Sequence, residues 1–290
     1  MNNFVTQLYP SPAIEHINEP QFYLEGEEGR GVDKRPFPTH YLSHNIRKHD
    51  GMFVYANFIS SIDGRIAIPH PTRDGLTVPT SITNDRDWRL FQELAAQADI
   101  VISSGRYLRD YADGRAQEIL QIDDPRFADL RDWRVQQGLP PQPDIAIISN
   151  SLNFPIPDLL TAGGRKVLLF TTANPDRARV AEIEAHGGQL FIAGKDMVDG
   201  KIMMEQLSAQ GYRFVYSAAG PQILHLLLAS KMLNRLYLSH ANKLLGGRPF
   251  STIVDGDLFP DGVDLTLYSL YFDPLVLAGN GQLFSAYTVK

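Results

Sequence analysis

Short apolar runs alternate with helix-like patterns along most of this chain, and that alternation points to a mostly parallel sheet covered by helices. Phe53–Ile59, Ile100–Ile102, Ile145–Ile148, Val167–Phe170, Leu190–Ala193, Phe214–Tyr216 and Leu236–Ser239 read as strands. Between the first two, Asn84 can cap a helix with Asp87 in its first turn, and Phe91, Leu94, Ala95 and Ala98 follow on one apolar face. Pro175–His186 and Val198–Gln210 have helical patterns, and Pro221 suits a first helical position because it has no N–H to leave unpaired. Asp113–Gly138 is charged and reads as a loop containing a helix. Leu265–Phe272 and Leu283–Val289 are β runs joined by an Asp-Pro and Gly-Asn-Gly loop, a hairpin that adds antiparallel strands at the end of the sheet.

The first 51 residues break this rhythm. They carry Pro10, Pro12, Pro20, Pro36 and Pro38, a Gly-Glu-Glu-Gly-Arg-Gly stretch and no sustained periodicity. The chain of 290 residues therefore reads as an N-terminal extension over 1–51 and one α/β domain over 52–290. Cysteine is absent, which excludes disulfides, thiolate metal sites and a thiol nucleophile. A net charge of −6 argues against nucleic acid and anionic membranes as partners. With no signal-like start and no apolar run long enough to span a bilayer, the expectation is a soluble cytoplasmic protein. His40 and His44 have a metal-pair spacing, but they follow Pro36 and Pro38 and read as solvated, so no metal site is expected. His225 reads as a core histidine.

Ligands of open α/β sheets bind beyond the carboxyl ends of the strands, where helix N-termini present free N–H groups. Three strand ends have suitable residues. Ser103-Ser104-Gly105-Arg106-Tyr107 combines a glycine that admits close backbone approach with a guanidinium fork, although on composition alone a plain turn with a solvated Arg is the commoner use of such residues. Ala218-Ala219-Gly220-Pro221-Gln222 leaves bare backbone at a helix start, for a ligand or for tight strand–helix packing. Ser149-Asn150 fits turn and cap duty or ligand binding. The densest local sequence, Asn57 to Ala67, runs from a strand into the Asp63-Gly64 turn. There Asp63 either meets a substrate or holds its own turn. The loop from Pro69 to Pro79 reads as a lid or an exposed connector. No Walker loop, Gly-x-Gly-x-x-Gly, nucleophile elbow or His-Glu-x-x-His occurs.

Taken in order, the motifs form a pattern. Val54-Tyr-Ala-Asn-Phe-Ile-Ser-Ser-Ile-Asp-Gly-Arg-Ile-Ala resembles the opening strand of riboflavin-biosynthesis pyrimidine reductases, the RibD C-terminal group of the dihydrofolate-reductase-like superfamily. Ile82-Thr-Asn-Asp resembles the start of their first helix, and Phe91 to Ile102 their helix-to-strand unit. Gly105-Arg106, Ala219-Gly220-Pro221, Arg235-Leu-Tyr-Leu and Leu244-Leu-Gly-Gly fall where the group has its cofactor turns, strand and closing turn. The chain departs from it at Ala218, where relatives carry Glu, at Ala219, where they carry Gly, and at Asn57, where many carry Lys.

The resemblance implies a three-layer dihydrofolate-reductase-like α/β fold, NADPH as hydride donor and a homodimer. It implies reduction of 5-amino-6-(5-phosphoribosylamino)uracil or a related pyrimidine or pterin. Carried residue by residue, it makes Asn57 and Asp63 catalytic and turns Ser61, Arg65 and Asn84 toward substrate. It gives the cofactor to Ala67, Gly105, Arg106, Tyr107, Ala219, Gly220, Pro221 and Gln222, with Ser149 and Asn150 at its 2′-phosphate. The deaminase domain of bifunctional relatives needs cysteines, so that activity is excluded. The departure at Ala218 leaves open an alternative, a non-catalytic member of the fold that binds a nucleotide-like ligand as sensor or scaffold.

Overall fold

The computed structural model describes residues 6–10, 46–72, 74–116, 118–161, 164–273 and 275–290. Its centre is a ten-stranded sheet whose strands are β1 (Thr6–Pro10), β2 (Phe53–Ser61), β5 (Ile100–Ser104), β6 (Asp144–Ile148), β7 (Val167–Thr171), β8 (Gly188–Ile192), β9 (Phe214–Ser217), β10 (Arg235–Ala241), β11 (Leu265–Asp273) and β12 (Gln282–Val289). The spatial order is β1-β11-β12-β10-β2-β9-β5-β6-β7-β8. From β10 to β8 every neighbouring pair is parallel, whereas β10–β12, β12–β11 and β11–β1 are antiparallel. The expected mostly parallel sheet with a C-terminal antiparallel hairpin is the observed fold. Within the extension, β1 adds an edge strand to β11, which the irregular sequence there does not announce. His40 and His44 lie outside the described residues.

The helices are α1 (Asp85–Gln97), α2 (Gly105–Ala112), α3 (Ala128–Gln136), the single turn α4 (Asp158–Thr161), α5 (Arg177–Ala185), α6 (Gly200–Ala209) and α7 (Pro221–Ala229). They form the two outer layers. Leu90 and Leu94 of α1 and Leu130 of α3 pack with Tyr55, Val101, Tyr216 and Tyr237 on one sheet face. Leu108 of α2 and Ile183 of α5 continue that face over Ile145, Ile147 and Leu169. Met203, Met204 and Leu207 of α6, with Leu224 and Leu227 of α7, cover the opposite face over Val54, Ala56, Ile100 and Val215. Being covered on both sides explains why β2, β5 and β7 read as continuous apolar runs rather than alternating ones.

Local chemistry sets the helix starts. Asn84 caps α1, its side chain accepting from the N–H groups of Arg86 and Asp87, and Asp85 and Asp87 complement the positive end. The other end of α1 is closed by Arg134, fully buried, whose guanidinium donates to the carbonyls of Ala96, Ala98 and Pro140. Among the described residues, no helix is long and apolar enough to cross a membrane.

Candidate active site

Two groups of sequence-selected residues meet along the carboxyl-terminal edge of the parallel strands. In the first, the register aligns Ile102 with Ser217 and Ser104 with Ile148, so the loops after β9, β5 and β6 stand side by side. These loops carry Ala219–Gln222, Gly105–Tyr107 and Ser149–Asn150. The helix α7 starts without a side-chain cap, whereas Ser104 caps α2 by accepting from the Tyr107 N–H. Gly220 is exposed, and a Cβ placed on it would have nothing within 4 Å. Bare backbone at an open helix N-terminus is what an anionic group needs. Arg106 is exposed at the head of α2, and its Nη2 would lie 3.9 Å from a Cβ on Gly75. The loop read as a lid thus reaches this group. It folds back as a small hairpin, β3 (Ile68–Pro69) against β4 (Leu76–Thr77).

At three of the expected cofactor positions the chain itself makes contacts. The absent side chain of Gly105 does not make room for a ligand: a Cβ there would lie 2.6 Å from Cδ1 of Phe154, so the ring takes the space. The Tyr107 N–H is spent on Ser104 Oγ at 3.3 Å, and its ring packs into the core with Leu108 and Tyr111, burial pushing its hydroxyl well above the ordinary range. Ser149 Oγ accepts from the Leu152 N–H at 3.1 Å, which is turn duty. Asn150 is exposed beside it.

The second group surrounds the turn after β2. Gly64 takes φ of 77°, which suits a residue without Cβ. The Asp63 carboxylate accepts from Ser61 Oγ at 2.5 Å, Arg65 Nη1 at 2.7 Å, Gly246 N–H at 2.8 Å and Leu245 N–H at 3.2 Å. The Ser61 hydroxyl and the Gly246 N–H, with help from Leu245 and Arg65, hold the carboxyl down at about 2. A carboxylate offers roughly four lone-pair sites, and these donors fill them. Asp63 thereby holds the segment that follows β10, as does Arg65, which donates to the Gly247 carbonyl and lies over the Phe250 ring at 4.3 Å. Ser61 is buried and engaged with both. Ala67 bridges to Ser251 of the same segment. Asn84 is likewise committed, to its cap and to Gln282 Oε1 at 2.5 Å.

Asn57 stands apart from that turn. Its Oδ1 accepts from the Tyr216 hydroxyl on β9, and Tyr55 stacks on the Tyr216 ring at 5.1 Å. Close by, sequence reading missed Asp87, whose carboxyl burial pushes up to about 6, the Ser239 hydroxyl offsetting part of the effect. At Asn84 plus three, Asp87 looked like a helix-dipole partner, and nothing in its spacing marks it as buried. Also missed was the span 242–264, a strap pinned at both ends of the site. Asp63, Arg65 and Ala67 hold its start, while Gln222 Nε2 to Asp255 Oδ2 at 3.3 Å and His225 Nε2 to the Asp257 carbonyl at 2.9 Å hold its far part to α7. Expected in the core, His225 instead grips this strap, stacked on Phe259 at 4.7 Å.

Comparison with known proteins places the arrangement. A pyrimidine reductase-like protein of Corynebacterium diphtheriae superposes with a TM-score of 0.63 at 21% identity, over 86% of this chain and 94% of that one. The riboflavin biosynthesis reductase Rib7 of Saccharomyces gives 0.56 at 15% identity, over 86% and 98%. RibD of Acinetobacter baumannii gives 0.56 at 17% identity over 83% of this chain, which spans 58% of that one. No curated protein matches the sequence. At such identities the structures share the fold. The family model for the RibD C-terminal domain matches residues 52–273, most of the chain, and the protein therefore belongs to the RibD C-terminal domain family.

Proposed function

We propose that this chain is an NADPH-dependent reductase that passes a hydride to a small nitrogen heterocycle, 5-amino-6-(5-phosphoribosylamino)uracil or a related pyrimidine or pterin. Membership of the RibD C-terminal domain family supports a pyrimidine-reductase-like activity, and a similar Thermotoga maritima structure is described as a 5-amino-6-(5-phosphoribosylamino)uracil reductase joined to a deaminase. The observation that carries the reading is the open head of α7, where Gly220 is exposed, nothing would obstruct a Cβ, and no side chain caps the backbone. Ala219, Gly220 and Gln222 would hold the cofactor's phosphates by backbone N–H groups and Arg106 by its guanidinium. When bound, the reduced nicotinamide supplies the hydride. The protein's share is to place the two reactants in contact and keep water out. Asn57, held by Tyr216, is the polar side chain of β2 left to face the substrate.

A titration with NADPH followed by calorimetry or nicotinamide fluorescence tests the cofactor. Micromolar binding is expected, and Arg106→Ala should weaken it roughly tenfold, about 1.4 kcal/mol. No affinity below millimolar for NADPH or NADH would remove the reading. Ala218, in the place of a carboxylate in relatives, favours a second reading, a nucleotide-binding sensor. Turnover of any pyrimidine or pterin would dismiss it.

A further inference from the structure

The amino-terminal edge of the parallel strands, opposite the cofactor loops, holds a buried cation that the proposed chemistry leaves unused. Arg235 opens β10, whose 7 residues put about 20 Å between this edge and the other. Arg235 is 5% exposed. Among the described residues no carboxylate pairs with it, and its Nε has no acceptor. The guanidinium lies over the Tyr268 ring of β11 at 3.6 Å and donates to the Tyr237 hydroxyl. To reach Tyr268 the side chain crosses β12, which runs between β10 and β11. Next to Tyr268 is Ser269, fully buried, whose hydroxyl has no hydrogen-bond partner. Tyr237 and Ser269 both stand opposite Ala286 of β12, so the three share one face of the sheet. The small side chain of Ala286 leaves the space above it to these polar neighbours.

A guanidinium keeps its charge at any pH a folded protein meets. A buried charge without a counter-charge is strongly unfavourable, and buried charges are accordingly paired. Aromatic faces attract the cation but carry no net charge. The acid at the same edge cannot serve, because Asp99 is taken by Arg47 at 2.8 Å and by the N–H groups of Arg213 and Phe214, each at 3.0 Å. The positive field reaches His49, whose imidazole is pushed down by burial and by Arg235, with Asp50 offsetting part of the effect. The open groups here are donors: the Nε–H of Arg235, and the Ser269 hydroxyl, which can turn its proton toward the same point. One positive charge and two donors are the complement of an anion.

We propose that Arg235 and Ser269 bind one compact monovalent anion of the halide class, chloride being the abundant one, as a built-in counter-ion of the fold. Enclosure sets the size of the ligand. With Ser269 fully buried and Arg235 nearly so, a single ion fits where a sugar phosphate or a peptide carboxylate does not. One guanidinium also balances one charge. Tyr237 and Tyr268 hold the guanidinium in place, the first through its hydroxyl and the second through its ring face. The anion thereby ties β10 to β11 across β12, at the end of the sheet that the cofactor loops do not use.

Thermal melts of the full chain in sodium chloride and in sodium gluconate, at equal ionic strength and without NADPH, test the site. The wild-type Tm should climb by a few degrees for each tenfold of chloride above the dissociation constant and stay level in gluconate. Arg235→Met keeps a long apolar side chain over Tyr268 and removes the charge, so it should abolish the chloride response. Ser269→Ala should need at least about threefold more chloride for the same gain in Tm. In crystals soaked in bromide, an anomalous peak is expected within hydrogen-bond reach of Arg235 Nε. Equal wild-type curves in chloride and gluconate, an unchanged chloride response in Arg235→Met, or a soaked crystal without that peak would each overturn the site and leave the aromatic contacts as the whole support of Arg235. If Arg235→Met does not fold, Ser269→Ala and the bromide peak still decide. No cofactor or substrate is added, so failure of the reductase reading leaves the result untouched.

Discussion

What occupies the lone pairs of a carboxylate decides its role, and the two aspartates at this site show opposite outcomes. Asp63 receives a hydroxyl, a guanidinium and two backbone N–H groups, and is held down at about 2. A depressed carboxylate contributes stability that is fully present above the unfolded value near 3.8 and is lost as pH falls toward 2. Asp63→Asn should lower the Tm at pH 7 and flatten the acid limb between pH 4 and 2, measured by thermal melts across that range. If Asp63 met substrate directly, kcat/KM would collapse with Tm unchanged. Asp87 carries the same side chain but is buried with an open oxygen, and its carboxyl rises instead. Neither state is visible in the sequence, because both depend on residues far along the chain: Leu245 and Gly246 for one, the packing that buries it for the other.

At the scale of elements, the helix starts were legible because capping is local. Asn84 lies one residue before α1, Pro221 opens α7, and the apolar spacing of Phe91, Leu94, Ala95 and Ala98 marks the helix that forms. The reason for Gly105 was not legible. A glycine after a strand reads as room for a ligand, whereas here it is room for Phe154, 49 residues later in the sequence and on a different segment. Gly105→Ala should therefore destabilise the protein by about 1–3 kcal/mol, read from urea unfolding. Phe154→Leu should recover part of that loss in the double variant, since the two residues share one space. A loss confined to cofactor affinity, with stability intact, would restore the ligand role.

For the whole molecule, the carboxyl edge of the sheet gathers two loop groups, and the strap over 242–264 connects them. It leaves the Asp63 turn, crosses to α7 and ends under His225, where a Cβ on Gly256 would come 2.3 Å from the imidazole Cγ. Gly256→Ala must push the ring or the strap aside. The expected result is a loss of about 1–3 kcal/mol in stability together with a several-fold weaker NADPH affinity, seen by thermal melts and titration, because His225 and Gln222 lie on the helix that Gly220 precedes. Unchanged NADPH binding in a destabilised variant would reduce the strap to a structural role. By itself the sequence determined the layered α/β architecture, the hairpin at its end and the positions of most helices, since periodicity and caps act over a few neighbouring residues. Tertiary structure alone decided which polar groups are saturated and which are left open. A side chain's partners come from strands and loops far apart in sequence, and burial sets how much an unmet hydrogen bond costs.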